Sequence, residues 1–177
     1  MPLTTVSAAQ AAPTRVKATQ DQSVGSSFAL NFGEAQGGVS SALVTRTDLE
    51  LEIDGINGTA KFVDYDQDVD ALILPGGLST GAISVQVVPG SSTGTFNRAT
   101  GEFITEELYN IEFDGDLSAM GLFSPVQLPS QSVGIVDLAS STVGRVTMNW
   151  AGNSQDNPAI PFDFSYICTL ISSLRKT

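Results

Sequence analysis

Along much of this chain, apolar side chains recur at every second position. Between Ala159 and Ile171, the residues Ile160, Phe162, Phe164, Tyr166, Cys168 and Leu170 alternate with Pro161, Asp163, Ser165, Ile167 and Thr169. Period two marks a strand with one buried face. Each aromatic buries roughly 150–250 Å², so this stretch is expected to be a central strand, covered on both sides toward Ile167 and Ile171. Asp48 to Ile53 alternates as cleanly, with Leu49, Leu51 and Ile53 inward and Asp48, Glu50 and Glu52 outward. Shorter sets follow the same rule: Phe28, Leu30 and Phe32; Ile83, Val85 and Val87; Val146, Met148 and Trp150. Further strands are expected at 39–45, 59–63, 124–128 and 132–138. The stretch from Ile104 to Phe113 is mixed. It reads as a strand carrying Tyr109, Ile111 and Phe113, with a helical turn over 105–108 as the competing reading.

Turn chemistry separates these runs. Gly37-Gly38, Asp54 to Gly58, Pro75 to Gly77, Pro89 to Gly94 and Pro129 to Gln131 all read as turns or loops. Arg98-Ala-Thr-Gly101 closes a tight hairpin between Phe96 and Phe103. About ten short strands so spaced predict an all-β fold: an antiparallel β-sandwich, jelly-roll-like, with a closed β-barrel as the alternative. Residues 24–172 read as a single β domain and 173–177 as a polar tail. Residues 1–23 are small and polar. They read as a flexible N-terminal arm, or as a strand donated to a neighbouring subunit in self-association.

Composition narrows the function classes. The chain has 177 residues, 41% of them apolar, enough for a packed core. It has no apolar run long enough for a membrane helix, and no membrane insertion is expected. The net charge of −11, with no basic cluster, argues against nucleic-acid binding and against an anionic membrane surface. The opening residues read as a mature N-terminus from which an export signal has been removed. Few charges and abundant Gly, Ser and Thr fit a secreted or cell-surface protein. The single cysteine, Cys168, rules out an internal disulfide and is expected to be a buried hydrophobe.

Histidine is absent, which removes Ser-His-Asp and Cys-His catalysis and imidazole acid–base chemistry. Gly90-Ser-Ser-Thr-Gly94 matches G-x-S-x-G but lacks both a histidine and a following helix. Glu106 and Glu107 are a carboxylate pair in name only, because neighbours on a strand face opposite ways. The strongest constellation is Asp64, Asp66, Asp68 and Asp70. In an extended chain these lie on one side, roughly 6.5–7 Å apart. Calcium, a hard cation taking oxygen ligands, would relieve their repulsion; the alternative is a solvated acidic face that keeps other chains from pairing. Asn57-Gly-Thr59 is a glycosylation sequon on a turn. Phe96, Phe103, Tyr109, Phe123, Trp150 and Tyr166 either line a ligand cavity or form core. The expectation is a non-enzymatic structural or adhesive domain, Ca²⁺-stabilised and self-associating. The alternatives are a binding module for a small apolar ligand or a carbohydrate, and a hydrolase using carboxylates alone.

Overall fold

The computed structural model describes residues 12–119, 126–137, 143–153 and 165–176. Ten strands make up nearly all of it: β1 (Thr14–Gln20), β2 (Ser27–Asn31), β3 (Val39–Asp54), β4 (Thr59–Val69), β5 (Ile83–Val87), β6 (Thr93–Phe96), β7 (Glu102–Phe113), β8 (Val126–Asp137), β9 (Val143–Asn153) and β10 (Ser165–Lys176). A short helix, α1 (Asp116–Ala119), and one 3₁₀ turn over Glu34–Gln36 are the helical elements among the described residues. No helix among them is long and apolar enough to cross a membrane.

All ten strands belong to one antiparallel sheet, in the order β1-β3-β2-β10-β9-β8-β7-β5-β4-β6, with further pairings β1–β10, β3–β4 and β7–β6. The hydrogen bonds therefore run in a closed ring, and each strand has at least two hydrogen-bonded neighbours. The all-β, sandwich- or barrel-like expectation is borne out. Two slots in the ring are shared by two short strands placed end to end. β1 and β2 both lie between β3 and β10. β5 and β6 both lie between β4 and β7. Serine hydroxyls fill the breaks: Ser26 Oγ accepts from Ile171 N, and Ser92 Oγ accepts from Phe62 N.

Several boundaries differ from those the pattern suggests. The expected free arm contains β1, which pairs with both β3 and β10 and buries Val16 and Ala18. The expected polar tail begins inside β10, which runs to Lys176. The strands expected at 39–45 and 48–53 are one, β3, with a bulge at Thr45 where Val44 faces Val69 and Arg46 faces Asp68. Val63 is a second bulge, on β4. It resets the alternation so that Phe62 and Tyr65 both point inward.

The expected turn at Pro129 is the middle of β8. Leu108, opposite Pro129, turns its N–H to Ser91 Oγ and its carbonyl to Val88 N. The Leu108–Pro129 pair is thus a non-hydrogen-bonded one, and proline withholds no donor from β7. Ile104 to Phe113 is strand, and no helical turn occurs at 105–108.

The inner faces enclose the core. Phe28, Tyr65, Tyr109, Trp150 and Tyr166 form its aromatic centre, with Tyr109–Trp150 at 4.9 Å and Tyr65–Tyr109 at 5.1 Å between ring centroids. These tilted contacts are ones that aromatic quadrupoles favour. Tyr166, Cys168 and Leu170 are buried as expected, while Ile167 is half exposed, so β10 has one covered face there. Ile160, Phe162 and Phe164 lie outside the described residues.

Candidate functional site

The four aspartates singled out in the sequence lie along β4 and just beyond it. Asp64, Asp66 and Asp68 point outward, and Asp70 follows the strand, its N–H donating to Leu43 O. Their counter-charge comes from the neighbouring strand. Arg46 reaches three carboxylates: Asp66 through Nη2 at 2.6 Å, Asp68 through Nε at 2.7 Å and Asp48 through Nη1 at 2.8 Å. These bonds, that to Asp68 first, raise the guanidinium pKa further above its ordinary value. Glu50, opposite Asp64, pairs with Arg15 and Lys17, and Glu52 pairs with Lys61 and Arg15. The outer face of β1, β3 and β4 is an ion-pair ladder, in which Arg46 supplies counter-charge to Asp66 and Asp68 of the four aspartates. Among the described residues no group of three or more His, Cys, Asp or Glu side chains is placed to hold a metal.

The adjacent glutamates separate as strand geometry requires. Glu106 is exposed on the outer face, whereas Glu107 is 4% exposed inside. Ser132 Oγ donates to Glu107 Oε1 at 2.5 Å, while Oε2 has no hydrogen-bond partner. Register places Thr105 opposite Ser132 and Glu107 opposite Ser130, making a four-residue polar patch on the inner wall of β7 and β8. Burial pushes the Glu107 carboxyl above the usual carboxylate range, against the Ser132 hydrogen bond. The sequence singles out Glu107 only as half of a nominal carboxylate pair; its burial is signalled by the parity it shares with Tyr109, Ile111 and Phe113. Cys168 is buried beside Gln67, and burial pushes its thiol up to about 12, which keeps it protonated and unreactive.

Of the aromatics named as cavity candidates, Phe103, Tyr109, Trp150 and Tyr166 are core. Phe123 lies outside the described residues. Phe96 lines a cavity.

That cavity lies at the end of the ring where β3 turns into β4 and β6 turns into β7, and it measures about 680 Å³. Val16, Ile53 and Val136 are its buried apolar floor, with half-buried Phe96 beside them and exposed Ile56 and Ile135 above. Its rim is held by two turns. In the first, Asp54 Oδ1 accepts from Ile56 N and Asn57 N, both at 2.9 Å, and Oδ2 accepts from Asn57 Nδ2 at 2.6 Å. These bonds, that from Asn57 N first, hold the Asp54 carboxyl below its ordinary range.

In the second turn, Asn97 Oδ1 accepts from Ala99 N, and Gly101 takes a φ of 78°. A side chain at Gly101 would meet Val136 O at 2.6 Å, so both conformation and space call for glycine there. The turns are tied together by Phe96 N donating to Gly58 O, and to β8 by Val136 N donating to Gly101 O. Such a rim is set before any ligand arrives. Ligand sites of ~300–1,000 Å³ with apolar walls and a few polar groups are the usual form for small molecules, and barrel mouths are a frequent place for them.

Compared with known protein families and with curated proteins, the chain matches no family model and no curated protein.

Proposed function

We propose that this protein is a binding module for a small apolar ligand, held in the cavity between the 54–58 and 97–101 turns. One observation carries the reading: the ring is filled by aromatic core at its centre but leaves about 680 Å³ over an apolar floor at this end. A ligand that covers exposed Ile56 and Ile135 and half-buried Phe96 at this cavity gains ~25 cal/mol for each Å² of apolar surface removed from water. Strand addition, the mechanism expected of an adhesive subunit, needs an unpaired edge. Each of the ten strands already has at least two partners, so the fold lends that reading no support.

The test is titration with N-phenyl-1-naphthylamine, a neutral dye that brightens in apolar sites. Thr14 has the same parity on β1 as the buried Val16 and Ala18, and it sits exposed at the cavity wall. Thr14→Trp therefore fills the space without touching the core. The wild type should bind the dye saturably, and Thr14→Trp should lose most of that binding while unfolding at an unchanged temperature. Equal binding by the two proteins would place the dye elsewhere and end the proposal.

A further inference from the structure

The charges around this cavity say what kind of head group its ligand carries. Among the described residues, Arg15, Lys17, Arg46, Lys61 and Arg145 each pair with a carboxylate. Arg98 has no such pair and lines the cavity. Its stem lies across Gly55, with Cδ 3.4 Å from where a side chain there would begin, so the lack of one at Gly55 gives the arginine its path. In a chain of net charge −11, acids to pair with are plentiful, and an arginine at the edge of an apolar cavity without one has its donors open to a ligand. Two acids share the wall, and neither forms an ion pair with Arg98. Asp54 accepts three hydrogen bonds inside its own turn. Asp137 is exposed at the end of β8, and Arg145, across from it in register, pairs with Asp21 instead.

Resting on the cavity reading, we infer that the ligand is an anionic amphiphile: an apolar body over Val16, Ile53 and Val136, and a carboxylate or similar anion on Arg98. Arginine suits this role because its planar fork meets a carboxylate with two parallel N–H donors. The stem contributes as well, covering apolar surface beside the ligand.

Decanoate and decanol, equal in chain length and differing in charge, separate the head group from the body. Each would be used to displace N-phenyl-1-naphthylamine at about pH 8, where a carboxylic acid is ionised. The wild type should prefer decanoate. Arg98→Gln should weaken decanoate about tenfold and decanol less than twofold, since charge-assisted bonds at a wet rim carry about that much. Arg98→Lys should fall between, keeping the charge and losing the fork. A general disturbance of the rim would lower both ligands together. If decanol and decanoate displace the dye equally and Arg98→Gln changes neither, the anionic assignment is wrong while the cavity stands. If neither ligand displaces bound dye, the cavity reading itself fails.

Discussion

Glu107 is an acid held in a buried environment. A carboxyl on the inner wall of the ring, with one oxygen unpartnered, has its charged form disfavoured by burial. The titratable side chains coupled to it, Tyr65 and Tyr109, are held neutral by burial, and Glu106 on the outer face only adds repulsion. Because the folded pKa lies above the unfolded one, the native state keeps a proton that the unfolded chain releases. The resulting stability is fully present below the ordinary glutamate range and is lost as pH rises through the raised value. Asp21, Glu52 and Asp54 act with the opposite sign, since their carboxyls are held low, chiefly by Ser23, Lys61 and Asn57 respectively. Their contribution is present above the usual carboxylate range and fades as pH falls.

Glu107→Gln should therefore stabilise the protein more at about pH 8 than at about pH 4. Urea unfolding at the two pH values reads the difference, and an equal effect at both would contradict the raised Glu107 pKa. The residue was legible in part: strict alternation from Tyr109 back to Glu107 puts an acid indoors. The partner of Asp66 and Asp68 was not legible. Arg46 meets them only because β3 lies beside β4 with its bulge at Thr45, and a cross-strand register is not written in either strand alone.

At the level of elements, the alternating runs of β5, β9 and the centre of β3 were readable because one face of each meets a continuous core. Misreadings arose where a usual punctuation mark was neutralised by its surroundings. Pro129 does not break β8 because its neighbour Leu108 bonds elsewhere, and the Pro129 carbonyl accepts the Tyr166 hydroxyl. β1 read as a free arm because Val16 and Ala18 are small and few, yet two long strands claim its backbone.

Gly152 shows the same dependence on context. It faces Tyr166 in the β9–β10 register, and a side chain there would run into the tyrosine ring and the Pro129 carbonyl. Glycine here leaves room for the aromatic to lie across the strand. Gly152→Ala should cost about 1–3 kcal/mol by overpacking. Tyr166→Phe, which loses only the hydroxyl, should cost about 1 kcal/mol. Thermal unfolding of both variants checks the order. A smaller loss for Gly152→Ala than for Tyr166→Phe would show that the strand yields more readily than this packing implies.

For the whole molecule, the closed ring has two consequences. It leaves none of the ten strands as an open edge, and it concentrates function at the ends, where turns rather than ladders shape the surface. The all-β class followed from alternation and turn spacing. Closure did not, because a sandwich and a ring use the same alternation and differ only in which distant strands pair. The cavity was out of reach for the same reason: β1, β8 and the 54–58 and 97–101 turns are far apart in sequence and meet only once the ring closes. Arg98 reads in the sequence as one more turn residue, because only the fold lays its stem across Gly55.

The most direct test of the cavity as a binding site is a backbone amide NMR titration of the intact protein with decanoate. Saturable shifts should gather at Gly55 to Gly58, Arg98 to Gly101 and Ile135 to Asp137, leaving the outer face of β4 at Asp64 to Asp68 unmoved. Shifts gathered on another surface, or none at concentrations that fill a site of this size, would contradict the account.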